Sequence, residues 1–548
     1  MNLSIDTKSA RRSLIPVAAI LCLGCGLRTV QYVARSSFWL DELSMVSNFE
    51  KKSLTELVSR PLGEQQVAPA GFLATVKASS AVLGLNEVGL RFIPWISAIA
   101  GVFLFWRVAS RVVNGPVLLA GLLIFAVSPA LTWYGGNVKP YSSDIAATLL
   151  LVLLVLRFEE RPGDYRAGVL AGLVGVPILF VSFPAIVTAA VSGLVLLSRW
   201  PRNRPRNLVV PLLCVGVPWG VAALAAGLLA LKLVDPETNA YMRRFWVDGF
   251  PPAPWTSIAA SLWIPQRLME TLGFFMSFLA ADWTAGRIFA AGFGVLACLG
   301  LVFLFWKFPR QAPLIVAPTI AAILAAAARL LPFQDRVGLW AGWPLLILSM
   351  AGLQAIYEWV SQRARVAAVG LTVLAAGAPA ILGFVFARPP YHCQDTRPVL
   401  AAIAQRWHDG DILYVYYGAR EAMDFYGKRA GFKEWTAGEC HREEPREYFR
   451  EVDQFRGQPR VWFLYTHSAV GYREPEVIRS YFETIGTERE RIAALSSVKE
   501  GQCEAVALMY DLSDPTRLTA STWSTYQFSD TRTGGVRILC DGTPVSGK

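Results

Sequence analysis

Long apolar runs recur along most of the chain and constrain its fold more than any other feature. A helix needs about 17–25 mostly apolar residues to cross the hydrocarbon core of a bilayer, and roughly eleven such stretches can be identified. They lie near residues 13–33, 91–110, 115–133, 141–157, 166–182, 184–198, 208–232, 287–306, 312–331, 337–357 and 366–387. These runs predict a polytopic membrane protein built of α-helices.

The charge distribution agrees with a membrane protein. Only 17% of the residues are charged and 54% are apolar or aromatic, whereas a soluble protein carries about 25% charge. The formal net charge of +11 is spread over short basic clusters between the apolar runs. A nucleic-acid partner is not expected, because such proteins gather their basic residues in one continuous patch.

The basic clusters also predict an orientation. Lys8, Arg11 and Arg12 precede the first run, which has no small-residue cleavage site after it, so this run is interpreted as an anchor with a cytoplasmic N-terminus. The later short clusters then fall on the same side, as expected for a bacterial-type inner membrane. Loops 34–90 and 233–286, and everything after Arg388, are expected outside.

The composition changes after the last run, which predicts two domains. Residues 1–388 would form the transmembrane module, and residues 389–548 a soluble, periplasmic α/β domain. In that domain the pattern predicts strands at Ile412–Tyr417, Val461–Tyr465 and Glu504–Tyr510, and helices at Pro398–Trp407, Arg420–Arg429 and Glu474–Ile485.

Four cysteines occur in the predicted external domain: Cys393, Cys440, Cys503 and Cys540. An even set in an oxidising compartment predicts two disulfides, with three possible connectivities. Free, buried thiols are the alternative.

An acidic pair in the first external loop is the main candidate for catalysis. Asp41 and Glu42 follow Trp39 and Leu40 just beyond the first run. Desolvation at the membrane surface would raise the pKa of a carboxylate towards the range of a general base. In a helix the two side chains point about 100° apart, so one would accept a proton and the other would orient it or the loop. A solvated acidic pair is the alternative.

Two charged residues near the fourth run are candidates for function, and the first of them suggests an anion site. Lys139 precedes Pro140, which suits the first turn of a helix, where unpaired N–H groups already favour an anion such as a lipid-linked phosphate. Asp144 lies about one turn further into the run, and a carboxylate at that depth suggests function. The alternative for Lys139 is a side chain that reaches from a helix end to the membrane surface.

A further cation, Arg336, lies on the same predicted outer side between the ninth and tenth runs. It could make two hydrogen bonds to the same phosphate, with Asp335 holding it, or it could form a plain loop ion pair. All four histidines fall in the terminal domain, so acid–base chemistry in the membrane module is expected to depend on a carboxylate.

The segment Trp39-Leu40-Asp41-Glu42, followed by Ala68-Pro69-Ala70-Gly71 before the second run, resembles the first external loop of GT-C class membrane glycosyltransferases. It is similar to glycosyltransferase family 39, the protein O-mannosyltransferase and aminoarabinose transferase relatives. The resemblance implies that Asp41 is catalytic with Glu42 as its partner, that Lys139 and Tyr141 bind the donor phosphate, and that Asp144 belongs to the polar site. The sequence departs from the family in carrying Gln66, Val67 and Ala68 before a single proline.

These features together predict an enzyme that moves a sugar from a polyprenyl-phosphate donor to an external glycan, lipid or protein hydroxyl, with inversion. Lys139 and Arg336 would stabilise the departing phosphate. No cofactor is expected, and a divalent metal held by Asp41, Glu42 and Asp144 is the less favoured alternative. A transporter of lipid-linked sugar coupled to protons by Asp144, and a non-catalytic membrane anchor, are the rival interpretations.

Overall fold

A computed structural model describes most of the chain. The described residues are 7–160, 164–198, 209–254, 256–277, 283–386, 388–442, 444–467, 474–494, 496–497, 503–520, 536–538 and 544–546. Within them the predicted fold class is confirmed, because a set of long apolar helices is followed by a small α/β domain.

Each predicted apolar run corresponds to one helix or, for residues 115–133, to a bent pair. These helices are α1 (Thr7–Val33), α5 (Glu87–Ala109), α6 (Gly115–Val127), α7 (Pro129–Gly135), α8 (Tyr141–Glu160), α9 (Tyr165–Val181), α10 (Phe183–Ser198), α11 (Val209–Leu233), α14 (Trp283–Lys307), α15 (Ala312–Ala327), α16 (Gly342–Ser361) and α17 (Arg365–Phe386). Among the described residues, six helices are long and apolar enough to cross a membrane, or seven if the bent pair α6–α7 counts as one span. The number of eleven spans therefore stays a prediction.

The break between α6 and α7 places the segment that carries Lys139. The two helices meet at an angle of 46°. Pro129 has no N–H group to continue α6, and the Ser128 hydroxyl accepts a hydrogen bond from the Leu131 amide at the start of α7. The buried Arg28 guanidinium donates to the Phe125 and Ala126 carbonyls, which the break leaves without helical partners. Backbone groups on both sides of the bend therefore have hydrogen-bond partners.

The first external loop folds into three helices. They are α2 (Leu40–Lys51), α3 (Leu54–Ser59) and α4 (Ala70–Leu83). Ser53 and Glu56 form a reciprocal capping box at the start of α3. The second external loop contributes α12 (Pro236–Phe245) and α13 (Ile258–Ser277).

The terminal domain contains a five-stranded sheet in the order β2-β1-β3-β5-β4. Its strands are β1 (Ile412–Val415), β2 (Thr436–Ala437), β3 (Val461–Thr466), β4 (Thr487–Ala493) and β5 (Ala505–Asp511), and its helices are α18 (Thr396–Gln405), α19 (Arg420–Tyr426), α20 (Glu447–Asp453) and α21 (Glu474–Ile485). Strands β2, β1 and β3 are parallel, whereas β5 is antiparallel to β3 and β4. A separate hairpin pairs β6 (Val536–Ile538) with β7 (Pro544–Ser546). Each of the six predicted elements is present, with bounds shifted by a few residues.

The terminal domain packs directly on the first external loop. One buried cluster joins Phe38 and Val46 of the loop to Leu400 and Phe425 of the domain. Polar contacts add to it: the Gln31 side chain exchanges two hydrogen bonds with the backbone of Tyr391. The division at residue 388 stays a prediction, since the loop and the domain share this core.

Disulfides stabilise the domain, as the cysteine set predicted. Cys393 is bonded to Cys503, which fixes the segment entering the domain against the start of β5. Cys440 is also disulfide-bonded. Cys540 lies outside the described residues.

Candidate active site

A cavity of about 990 Å³ opens between α2, the start of α8, α12 and the turn that precedes α16. Five of the six residues predicted for the site line it: Asp41, Lys139, Tyr141, Asp144 and Arg336. Residues separated by almost 300 positions therefore meet at one cavity. The sixth, Glu42, is not among its lining residues.

Asp41 lies between two cations. Its Oδ1 is 2.9 Å from the Lys139 ammonium, and its Oδ2 is 3.5 Å from Nε of Arg336. Burial acts to raise the pKa of Asp41, but the attraction of Lys139 and Arg336 outweighs burial and leaves that pKa below its ordinary value. The sequence predicted a raised pKa, because it showed the apolar neighbours of Asp41 and not the two distant cations.

Lys139 is held by residues of the first external loop. Its ammonium donates to Oε1 of Gln66 at 2.6 Å, and its side chain is only 5% exposed. Gln66 is one of the positions where the sequence departs from the glycosyltransferase pattern, so the departure lies at the site itself. Burial lowers the pKa of Lys139, and its pairing with Asp41 opposes that effect.

The backbone before Lys139 is fixed from α2 as well. The Trp39 indole donates to the Asn137 side chain at 2.6 Å, and the Val138 amide donates to Glu42 at 2.8 Å. The carboxylate of Asp41 and the ammonium of Lys139 are thus placed by the same two elements.

Arg336 is positioned by aromatic residues. Its Nε donates to the Tyr141 hydroxyl at 3.2 Å, and its guanidinium lies 4.9 Å from the centre of the Trp246 ring. In the described ion pairs its carboxylate partner is Asp41 and not the adjacent Asp335, which the sequence suggested. With 22% of its side chain exposed, Arg336 still faces the cavity.

Glu42, predicted as the partner of Asp41, has a different position. It forms a buried ion pair with Arg91 of α5, with distances of 2.6 and 2.8 Å, and both side chains are at most 3% exposed. Arg91 also donates to the Ser36 and Ser37 carbonyls. We interpret Glu42 as a positioning residue, since it ties α2, α5 and the segment of Lys139 together.

Asp144 borders the cavity from within α8. The residue is 7% exposed, and its Oδ1 has no hydrogen-bond partner among the described residues. A buried carboxylate oxygen without a partner costs free energy unless a ligand satisfies it. Asp144 therefore has an unused hydrogen-bond acceptor at the border of the cavity.

The terminal domain supplies three residues that the sequence did not indicate: Glu421, Arg442 and His467. His467 lies 3.0 Å from Gln394 through its Nδ1, and burial and Arg442 lower its pKa to about 4, so it is neutral at neutral pH. Arg442 donates to Glu474 at 2.8 Å. No local signal marks these positions, because only the docking of the domain brings them to the cavity.

The second external loop covers one side of the cavity. Tyr241, Arg243 and Trp246 from α12 and its end line that side.

A metal site at Asp41, Glu42 and Asp144 does not form in the described part of the chain. Glu42 is directed at Arg91, and no three His, Cys, Asp or Glu side chains converge among the described residues.

No protein-family model matches the chain, and no curated protein matches it. Among solved structures, it is similar to ArnT from Cupriavidus metallidurans in the apo state, with 12% identity over 92% of this chain and 98% of that one and a TM-score of 0.47. It is also similar to the Archaeoglobus fulgidus oligosaccharyltransferase, with 11% identity, coverage of 81% and 67%, and a TM-score of 0.47. A third is arabinofuranosyltransferase AftD from Mycobacteria, with 14% identity, coverage of 90% and 41%, and a TM-score of 0.37.

These three structures are GT-C glycosyltransferases. Identities of 11–14% and TM-scores below 0.5 are too low to assign an activity or a ligand to this chain. The function must be argued from the site.

Proposed function

We propose that this protein is a membrane glycosyltransferase that moves a sugar from a polyprenyl-phosphate donor to a hydroxyl group outside the cytoplasmic membrane, with inversion at the anomeric carbon. The observation that carries the proposal is the pair of cations, Lys139 and Arg336, that meet on Asp41 at one cavity. A guanidinium and an ammonium on one side of a pocket are the groups that proteins use to bind a phosphate.

The donor phosphate would take the place that the Asp41 carboxylate holds between the cations. Tyr141 keeps Arg336 in position for it through the hydrogen bond to Nε. Displaced from its cations, Asp41 would lose the attraction that lowers its pKa and become a stronger base. Binding of the phosphate would therefore also activate Asp41 as the base.

The transfer itself would be a direct displacement. The acceptor oxygen forms a bond to the anomeric carbon, the bond from that carbon to the phosphate oxygen breaks, and Asp41 takes the hydroxyl proton. The leaving phosphate gains negative charge, which Lys139 and Arg336 stabilise. Asp144 would accept a hydrogen bond from the donor sugar through its unpaired oxygen.

The helical module fits a lipid-borne donor. Several helices expose large apolar side chains, among them Leu173 of α9, Leu194 of α10, Leu228 of α11 and Val302 of α14. Such faces are stable against lipid chains and not against water. The protein is thus a multi-pass membrane protein, and we propose the bacterial inner membrane as its location.

The test uses membranes that contain the wild type, Asp41→Asn or Glu434→Gln, incubated with radiolabelled polyprenyl-phosphate sugars. Label is counted separately in lipid, polymer and protein fractions. Because a general base contributes about 10²–10⁴-fold, Asp41→Asn should lower transfer by at least about 100-fold. Glu434 is exposed and is not among the residues that line the cavity, so Glu434→Gln should transfer at the wild-type rate.

Transfer that does not depend on Asp41, in protein shown to be folded, would contradict the proposed role of this carboxylate. If no donor supports transfer, the transporter becomes the better explanation, because the buried carboxylate of Asp144 could then couple protons to the movement of a lipid-linked sugar. Labelled lipid appearing on the opposite leaflet would identify that case.

A further inference from the structure

A second cavity, of about 1060 Å³, adjoins the first one. It lies between α2 and the terminal domain, and we call it the domain cleft. Its walls include Ser47, Glu50 and Lys51 on α2, and Arg420, Asp424 and Lys428 on the domain side. The two cavities share Glu64, Glu421, Arg442 and His467, so a ligand in the domain cleft can reach the cavity of Asp41.

The side chains of the domain cleft indicate what it can hold. Nine of its lining residues are charged, with both signs on each wall. Such walls remain hydrated and offer many donors and acceptors, which suits a ligand with many hydroxyl groups. An acyl chain would leave these charges desolvated and unpaired, at a cost of several kcal/mol. The domain cleft is therefore suited to carbohydrate and not to lipid.

Glu421 lies where the two cavities join. Its Oε2 accepts a hydrogen bond from the Ser44 hydroxyl at 3.0 Å. Ser44 is three residues after Asp41 on α2, so the two side chains lie on the same helix face. None of the described ion pairs includes Glu421, which leaves its other oxygen for a ligand.

The charges around Glu421 come from several elements. Glu421 interacts electrostatically with Glu64 of the first loop, Lys139 before α8 and Lys51 of α2. Two charged residues of its own helix, Arg420 and Asp424, also line the domain cleft. Burial is the largest influence and raises the pKa of Glu421 to about 7. A carboxylate that titrates near neutral pH changes its hydrogen bonding within the working range of the enzyme.

We propose that the domain cleft is the acceptor site of the transfer reaction, that it takes the hydrophilic end of a carbohydrate, and that Glu421 accepts a hydrogen bond from an acceptor hydroxyl and holds it beside Asp41. This inference rests on the proposed function, and it makes the acceptor a glycan and not a membrane lipid.

The experiment uses the full chain in lipid nanodiscs, with wild type, Glu421→Gln and the matched control Glu434→Gln. Binding of short soluble oligosaccharides from envelope polysaccharide is measured by saturation-transfer NMR, without any donor. Transfer is then measured against oligosaccharide concentration at saturating donor. A hydrogen bond to a charged group contributes about 1.5–3 kcal/mol, so Glu421→Gln should raise the acceptor KM about 10-fold or more and leave the donor KM unchanged.

The pH profile separates a contact with the acceptor from a merely structural role. In the wild type the acceptor KM should rise as the pH falls below about 7, because protonated Glu421 is a weaker acceptor. The acceptor KM of Glu421→Gln should not change over that range. Unfolding temperatures of the three proteins show whether they are equally folded.

Equal oligosaccharide binding by the wild type and Glu421→Gln would overturn the proposal, and so would transfer to lipid acceptors alone. If no donor supports transfer but binding depends on Glu421, the proposed reaction fails while the carbohydrate site stands. The two proposals can therefore fail separately.

Discussion

Replacing Glu42 by Gln should destabilise the protein by about 3 kcal/mol, although Glu42 does not line the cavity. Removing one member of a buried ion pair costs about 3–5 kcal/mol, because the other charge stays buried without compensation. Arg91 keeps its hydrogen bonds to the Ser36 and Ser37 carbonyls, which favours the low end of that range. In the variant, the amide nitrogen must replace either Oε1, which accepts from Arg91 Nε and the Val138 amide, or Oε2, which accepts from a second Arg91 nitrogen, so it meets a donor in both orientations.

The matched control is Glu490→Gln. Glu490 pairs with Arg406 at 3.4 Å, with 37% and 47% of the two side chains exposed, so its loss should cost less than about 1 kcal/mol. The free energy of unfolding is measured by reversible denaturant titration in detergent micelles. Glu42→Gln should also weaken transfer, because the segment that carries Lys139 loses one of its two hydrogen bonds to the start of α2.

The double variant Glu42→Gln, Arg91→Met tests whether the two charges stabilise the protein as a pair. Removing both charges leaves no buried cation, so the double variant should be less destabilised than the sum of the two single variants. Additive effects, or equal losses in Glu42→Gln and Glu490→Gln, would show that the pair does not act as described.

Two other perturbations follow from the terminal domain. Replacing both Cys393 and Cys503 by Ser should lower the free energy of unfolding by about 2–4 kcal/mol and reduce transfer, because Gln394 and Asp395, next to Cys393, hydrogen-bond to the loop of Asp41. The control is Cys298→Ala, which removes an exposed free thiol. Unchanged transfer in the double Ser variant would show that the disulfide does not hold this loop in place. The raised pKa of Glu421 favours its protonated form in the folded state, so its contribution to stability is complete below about pH 4.5 and is lost as the pH rises to about 7. The free energy of unfolding of the wild type relative to Glu421→Gln should fall over that window, and a constant difference would argue against the shift.

The helices of the membrane module could be predicted because each run of apolar residues is long and uninterrupted. Strand β4 could not, since Thr487–Ala493 is mostly polar and charged and pairs with only one neighbour, β5. The bend at Ser128 lies within one continuous apolar run, where Pro129 is the local signal, and the contacts of the distant Arg28 with the freed carbonyls could not be predicted.

The site was predictable where a residue type was unusual for its surroundings. Asp144 and Lys139 were identifiable because charge is costly beside a membrane. The adjacent residues Asp41 and Glu42 were indistinguishable in sequence, and their roles separate only because Arg91 and Lys139 lie on different sides of α2. Glu421 lies in an ordinary helix pattern, so nothing local indicated that it borders the cavity.

The core shared by the first external loop and the terminal domain has a consequence for biogenesis. The ribosome completes residues 38–46 long before Leu400 and Phe425 exist, so the loop emerges without the partners that bury its apolar side chains. Helix α2 therefore cannot be held in its final place until Leu400 and Phe425 have been synthesised and have packed against it. The protein should remain inactive during insertion and become active when the terminal domain docks on the loop.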